Sequence, residues 1–178
     1  MTLARPAAFL DRDGTINVRA PAHDYVRSAD QFEWLPGAIE GMVRLGEAGW
    51  PLIVVSNQRG VSRGLLTEAT LREIETRIQA ALADRGCRVE AFRYCLHGIE
   101  EACECRKPRP GLLLAAAREL DLELARSWMI GDSDDDVAAG RAAGCRTIRL
   151  GAEPTDGAVV AGSLLEAAEL VLADGAAS

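Results

Sequence analysis

Four short apolar runs, each broken off by polar or turn-forming residues, constrain this chain more than anything else in its sequence. "PAAFL" (6–10) runs into Asp11, "WPLIVV" (50–55) into Ser56-Asn57-Gln58, "SWMI" (127–130) into Gly131-Asp132, and "CRTIRL" (145–150) into Gly151. Runs of this length, bounded by turn formers, read as strands buried on both faces. Helical patterns separate them. Residues 36–49 carry Ile39, Met42, Val43 and Leu45 on one face and stop at Gly49. Residues 67–86 open on Thr67 with Thr70-x-x-Glu73 and close on Gly86, 110–122 start with Pro110, and 134–144 begin with acids and end on Gly144. Strands that alternate with helices predict an α/β fold, a doubly wound parallel sheet with helices on both faces. A length of 178 residues suits a single such domain. No internal repeat interrupts it. Residues 152–178, rich in Ala and Gly, are looser, although "SLLEAAELVLA" has the pattern of a last helix.

In sheets of this kind ligands bind beyond the carboxyl ends of the strands, near the reversal of strand order. Asp11, Ser56 and Asp132 all follow such ends, so three distant stretches converge on one rim. The first of them, "AAFLDRDGT", sets two carboxylates side by side. Residues i and i+2 leaving a strand can aim side chains or backbone groups at one spot, while Arg12 between them points elsewhere. The repulsion of Asp11 and Asp13 is relieved if a hard dication sits there, and oxygen ligands with room for water suit Mg²⁺. Asp132 would complete the set. Such a metal neutralises a phosphate, so that one carboxylate can attack phosphorus and form an aspartyl-phosphate. The other can protonate the leaving oxygen and then activate water. The competing reading of Asp11 and Asp13 is a solvated loop with a turn at Asp13-Gly14.

Formal net charge is −7, which argues against a nucleic-acid backbone or an anionic membrane surface as partner. No stretch reads as a signal peptide or a bilayer span, so a cytoplasmic location is expected. Five cysteines, an odd number, do not suggest a disulfide framework. Cys95, Cys103 and Cys105 share eleven residues with His97. Four soft or borderline ligands close a tetrahedral Zn²⁺ site, and a closed site is structural because a catalytic zinc keeps a position open. The C-x-H and C-x-C spacings differ from the usual C-x₂-C, and free cysteines are the alternative. Cys87 and Cys145 are expected to be small core residues.

The D-x-D-G-T motif at 11–15, the strand ending in Ser56, the lysine of "CRKP" (105–108) and "GDSDDD" (131–136) occur in this order, which resembles the haloacid dehalogenase (HAD) superfamily of phosphotransferases. The resemblance implies a Rossmann-like, capless fold with Asp11 as nucleophile and Asp13 as general acid/base. It makes Ser56 and Lys107 the phosphate holders. Asp11, Asp13 and Asp132 become the Mg²⁺ ligands, and Asp136 a supporting or outer-shell group. Asp134 and Asp135 read better as solvent-facing acids at a helix start. "FLDRDGTIN", "SNQRGVSRG", "CECRKPRPG" and "MIGDSDDDVAAG" look like the group that holds D-glycero-D-manno-heptose 1,7-bisphosphate phosphatases and histidinol-phosphate phosphatases. "GVSRGLLTE" favours the heptose branch, while Ser133 stands where that branch often has lysine.

The implied reaction is removal of the C7 phosphate of a heptose bisphosphate, with histidinol phosphate as the alternative substrate. A zinc-stapled binding module is the reading from a different class, and it leaves the converging carboxylates unexplained. Substrate contacts are expected at Asn17, His23, Asp24, Tyr25, Asn57, Gln58 and Ser133, with a surface loop residue as the equal reading of His23. Arg63 and Arg106 are candidates for the uncleaved phosphate, since an arginine fork suits phosphate oxygens. For Arg63 a solvent-facing ion pair competes. The partner expected is a small sugar phosphate, met by a monomer.

Overall fold

The computed structural model describes residues 4–22, 24–151 and 158–175. His23, and with it one expected sugar contact, lies outside the described residues. Among those residues six strands form one parallel sheet: β1 (Ala8–Leu10), β2 (Leu52–Asn57), β3 (Val89–Cys95), β4 (Trp128–Gly131), β5 (Arg146–Leu150) and β6 (Val159–Ala161). Their order across the sheet is β3-β2-β1-β4-β5-β6. Four match the apolar runs. The other two, β3 and β6, are the edge strands and were not expected. Along β3, Val89, Ala91 and Cys95 are buried while the residues between them are partly exposed, so no continuous apolar run marks it. β6 is three residues long and falls in the Ala/Gly-rich stretch.

Among the described residues five α-helices cover the sheet: α1 (Ala38–Glu47), α2 (Glu68–Ala83), α3 (Gly111–Leu120), α4 (Asp134–Ala142) and α5 (Leu164–Gly175). Thr67 caps α2, its hydroxyl accepting from the Thr70 N–H at 3.1 Å. Alternate strand residues feed two cores. Ala8, Leu10, Leu52, Val54, Ile130 and Ile148 pack with Met42 and Leu45 of α1, Ile74 and Ile78 of α2, and Val171 of α5. Phe9, Ile53, Val55 and Met129 pack on the other face with Leu112, Leu113 and Ala116 of α3 and Ala139 of α4. Each such Leu or Ile contributes about 1.5–3 kcal/mol by leaving water. Cys87 and Cys145 sit buried in these cores, as small apolar residues do. Helices α1 and α5 approach closely at Gly41, where a Cβ would stand 2.6 Å from the Leu164 backbone. At the far edge Arg146 pairs with Asp174 of α5 and lies over the Trp128 ring at 4.1 Å.

The strand order reverses between β1 and β4, neighbours in the sheet though far apart in the chain. Two strands whose connections run to opposite sides leave a crevice beyond their carboxyl ends. The chain leaving β1 turns at Gly14, whose φ is +93°. It presses so close to β4's exit that a Cβ there would overlap the Asp132 carboxylate at 2.1 Å. Only glycine satisfies both the left-handed backbone and that approach.

Candidate active site

The carboxyl ends of β1, β2 and β4 open onto a cavity of about 260 Å³ whose lining includes Asp11, Asp13, Arg19, Ser56, Lys107 and Asp136. Asp11 is the first residue beyond β1, and its N–H donates to the Ile130 carbonyl at 2.9 Å, which continues the ladder one step past the strand. Lys107 arrives from the opposite side. Its Nζ donates to Asp11 Oδ1 at 2.7 Å, Asp136 Oδ1 at 2.6 Å and the Val55 carbonyl at 2.8 Å, so all three ammonium hydrogens are directed. Lysine and both carboxylates are buried. Burial pushes the Asp11 carboxyl up to about 7, against the pull of Lys107 and with the push of Asp136. For Lys107 burial lowers the value, but the charges of Asp11 and Asp136 outweigh it and hold it above the ordinary lysine range.

Carboxylate oxygens of Asp11, Asp132 and Asp136 all lie within 4.8 Å of one another. Burial raises the Asp132 carboxyl, opposed by Arg19. Both oxygens of Asp136 are committed: Oδ1 to Lys107, and Oδ2 to the N–H and hydroxyl of Ser133 at 3.1 and 2.6 Å. Ser133 is the N-cap of α4, and with Asp136 it forms a reciprocal cap. Arg19 Nη2 donates to Asp132 Oδ1 at 2.8 Å and lies 3.5 Å from the Asp13 backbone carbonyl. A protein-borne cation thus stands between an Asp132 oxygen and a carbonyl oxygen. An all-oxygen donor set that draws a guanidinium in this way fits a hard divalent cation such as Mg²⁺.

The Asp13 carboxylate itself is not in that cluster. It turns back onto Arg12, which donates from Nε and Nη2 to Oδ1 at 3.3 and 3.0 Å and from Nη2 to Oδ2 at 3.0 Å. Asn17 Nδ2 adds a bond to Oδ1 at 2.9 Å and Gln58 Nε2 one to Oδ2 at 2.7 Å. Burial pushes Asp13 up, but Arg12 and the bonds from Asn17, Gln58 and Arg12 together hold it below the usual carboxylate range. Arg12, expected to point away, is instead fully buried against its neighbour. The repulsion of the two aspartates is met by separate protein cations, Lys107 for Asp11 and Arg12 for Asp13.

Asp24, Tyr25, Asn57 and Ser133, four of the expected substrate contacts, line the cavity, although Asp24 is also paired with Arg27 at 2.7 Å. Asn57 does more than line it. Its Nδ2 donates to the Lys107 carbonyl at 3.0 Å and its Oδ1 accepts the Lys107 N–H at 3.1 Å, so both ends of the amide clamp that backbone. Four other expected contacts do not line the cavity. Asn17 and Gln58 are buried behind Asp13, because their amides are needed as donors to its carboxylate. Arg63 leans toward the outer face of the Tyr25 ring, 6.0 Å from its centroid, and does not line the cavity. Arg106 opens onto a neighbouring hollow of about 390 Å³ beside Cys103 and Arg109, which shares Lys107 and Asp135 with the cavity. Arg19 was missed. A single arginine six residues past Asp13 has no signal in the sequence.

At the end of β3, Cys95, His97, Cys103 and Cys105 draw together. Cys95 Sγ lies 3.5 Å from Cys103 Sγ, Cys105 Sγ 3.4 Å from Cys103 Sγ, and His97 Nδ1 3.2 Å from Cys105 Sγ. Thiolates bound tetrahedrally at about 2.3 Å from zinc stand about 3.8 Å apart, so the cluster has the size of such a site. Burial and the Cys95 and Cys103 sulfurs push the Cys105 thiol up to about 12. Three sulfurs this close ionise together only around a cation, which fits a structural Zn²⁺.

Comparison with known proteins agrees with this geometry. A family model described as HAD-hydrolase-like matches residues 104–170. The D-glycero-β-D-manno-heptose-1,7-bisphosphate 7-phosphatase of Photorhabdus laumondii is 41% identical over 146 residues, covering 78% of this chain and 76% of that protein. Its namesake from Yersinia pestis is 41% identical over 154 residues, 83% of this chain and 80% of that one. Among solved structures, D,D-heptose 1,7-bisphosphate phosphatase from B. bronchiseptica, complexed with magnesium and phosphate, aligns with a TM-score of 0.87 at 36% identity, over 95% of this chain and 99% of its own. The enzyme of that name from Burkholderia thailandensis aligns with a TM-score of 0.69 at 28% identity, over 94% and 99%. Fold and site together define a phosphatase, a phosphoric monoester hydrolase of HAD type. Within that class the chain belongs to the family of the heptose-1,7-bisphosphate 7-phosphatases.

Proposed function

We propose that the chain is a Mg²⁺-dependent sugar-bisphosphate phosphatase that removes the C7 phosphate of D-glycero-D-manno-heptose 1,7-bisphosphate. The observation that carries the reading is Asp11, a buried carboxylate at the strand-order reversal, held by Lys107 at the floor of an open polar cavity. The names of the relatives supply the sugar. The carboxylates of Asp11 and Asp132 and the backbone carbonyl of Asp13 would hold Mg²⁺, with Asp136 supporting from behind. When bound, the ion offsets the repulsion between Asp11 and an incoming phosphate.

An Asp11 oxygen bonds to phosphorus while the bond from phosphorus to the sugar oxygen breaks, its electron pair going to that oxygen. Asp13 gives the departing oxygen a proton. In the second half a water oxygen bonds to phosphorus, the aspartyl oxygen leaves with its pair, and Asp13 takes the water's proton. The free site holds Asp13 ionised, so it takes up a proton from solvent as the dianionic phosphate binds and raises its proton affinity. Ser56 and Lys107 hold the transferring oxygens, while Asp24, Tyr25, Ser133 and Arg19 face the rest of the substrate. The zinc cluster fixes the loop that delivers Lys107.

We read the chain as a single domain, monomeric and cytoplasmic; no described helix is long and apolar enough to cross a membrane. The test compares kcat/KM on the heptose bisphosphate, histidinol phosphate and a simple aryl phosphate. The heptose bisphosphate is expected to lead by about 100-fold or more, a margin that needs specific polar recognition. A preference for histidinol phosphate would transfer the assignment to the other branch.

A further inference from the structure

We propose that Arg12, with Gln58 beside it, is a positioning residue that fixes the Asp13 carboxylate for delivery of a proton to the leaving oxygen. The proposal rests on the reading of Asp13 as the acid. Arg12 heads the fully buried side chains in size. Its guanidinium makes three contacts with the Asp13 carboxylate and one, at 3.3 Å, with Gln58 Oε1. Gln58 in turn donates to Asp13 Oδ2 and lies 3.0 Å from Ser56 Oγ. The carboxylate is gripped from behind on both oxygens, while its front lines the cavity. The Tyr94 hydroxyl, largely buried, lies beside Arg12 and Glu75.

Stability does not account for this arrangement. A buried ion pair is often no better than apolar residues of the same volume. What a guanidinium does supply is a rigid planar fork that sets the plane of a carboxylate, which a lysine's single rotating ammonium does not. A carboxyl that must meet the oxygen taking the P–O electron pair needs its plane set, because a misplacement of about 1 Å costs on the order of 100-fold.

The test is a leaving-group comparison, using kcat/KM because it covers steps only as far as the aspartyl-phosphate. Propyl phosphate releases a poor leaving group that needs the proton, whereas 4-nitrophenyl phosphate releases one that does not. Arg12→Lys is expected to lose about 100-fold on propyl phosphate and less than about 5-fold on 4-nitrophenyl phosphate, matching the pattern of general-acid loss. Its zinc content and circular dichroism should stay those of the parent. Gln58→Met leaves Arg12 in place and should shift the same ratio by about 10-fold, so the test survives if Arg12→Lys does not fold. Asp13→Asn is the reference and should show the largest ratio. Equal losses on both substrates in Arg12→Lys or Gln58→Met, with Asp13→Asn still discriminating, would overturn the positioning role alone. An Asp13→Asn enzyme that does not discriminate would overturn both this proposal and the reading of Asp13.

Discussion

Asp11 and Lys107 illustrate how far a single residue can be understood from its neighbours. Asp11→Asn keeps the shape and a partner for Lys107 while removing the attacking oxygen's charge. Turnover should drop by about 10³-fold or more, with stability altered by less than about 1 kcal/mol, as steady-state kinetics and thermal unfolding would show. Lys107 behaves otherwise. It is buried and bridges two carboxylates, so it carries weight in the core beside the phosphate contact proposed for it. Lys107→Ala leaves Asp11 and Asp136 facing each other without a cation. The cost should approach about 3 kcal/mol, with Mg²⁺ at millimolar concentration recovering part of it. An unchanged melting temperature in the metal-free Lys107→Ala protein would count against this. Asp11, Asp13, Ser56, Lys107 and Asp132 were legible because each is fixed in a local pattern at a strand or loop end. The roles of Arg12, Asn17 and Gln58 were not. They depend on side-chain directions, within the exit of β1 and across to Gln58 45 residues on, which spacing does not encode.

At the scale of elements, the loop from Cys95 to Lys107 joins metal to chemistry. Its ligands end two residues before Lys107, whose backbone Asn57 of β2 grips on both sides. Cys103→Ser should therefore lose zinc and depress kcat while the chain is still folded. A zinc-free Cys103→Ser protein with parental kcat would show that the loop holds its place without metal. The sequence made β1, β2, β4 and β5 visible because interior strands of a doubly covered sheet are apolar on both faces. β3 was hidden because an edge strand is half solvated, with Arg93 and Tyr94 only partly buried. α5 was legible by its periodicity even within a stretch of low complexity. The positions where elements end followed the turn chemistry, with differences of only a few residues.

For the whole molecule, the two metals should separate cleanly. A mild chelator that strips Mg²⁺ should abolish turnover reversibly without changing circular dichroism, because the carboxylates keep Lys107 and Arg19 as counter-charges. Removing zinc should lower the unfolding temperature, since metal bound only by the folded chain stabilises it by mass action. Zinc loss should also show in light scattering. Cys95 is the last residue of β3, and β3 is the outermost strand on its side. Among the described residues, one flank of that strand has no neighbouring strand to pair with its N–H and C=O groups. Such a flank is a template on which other chains can add. By pinning the strand's final residue, the metal keeps its end from peeling outward and lengthening that template. The cluster that anchors the loop of Lys107 would then also guard against self-association, and the conditions that cost the enzyme its rate would be those that cloud its solution.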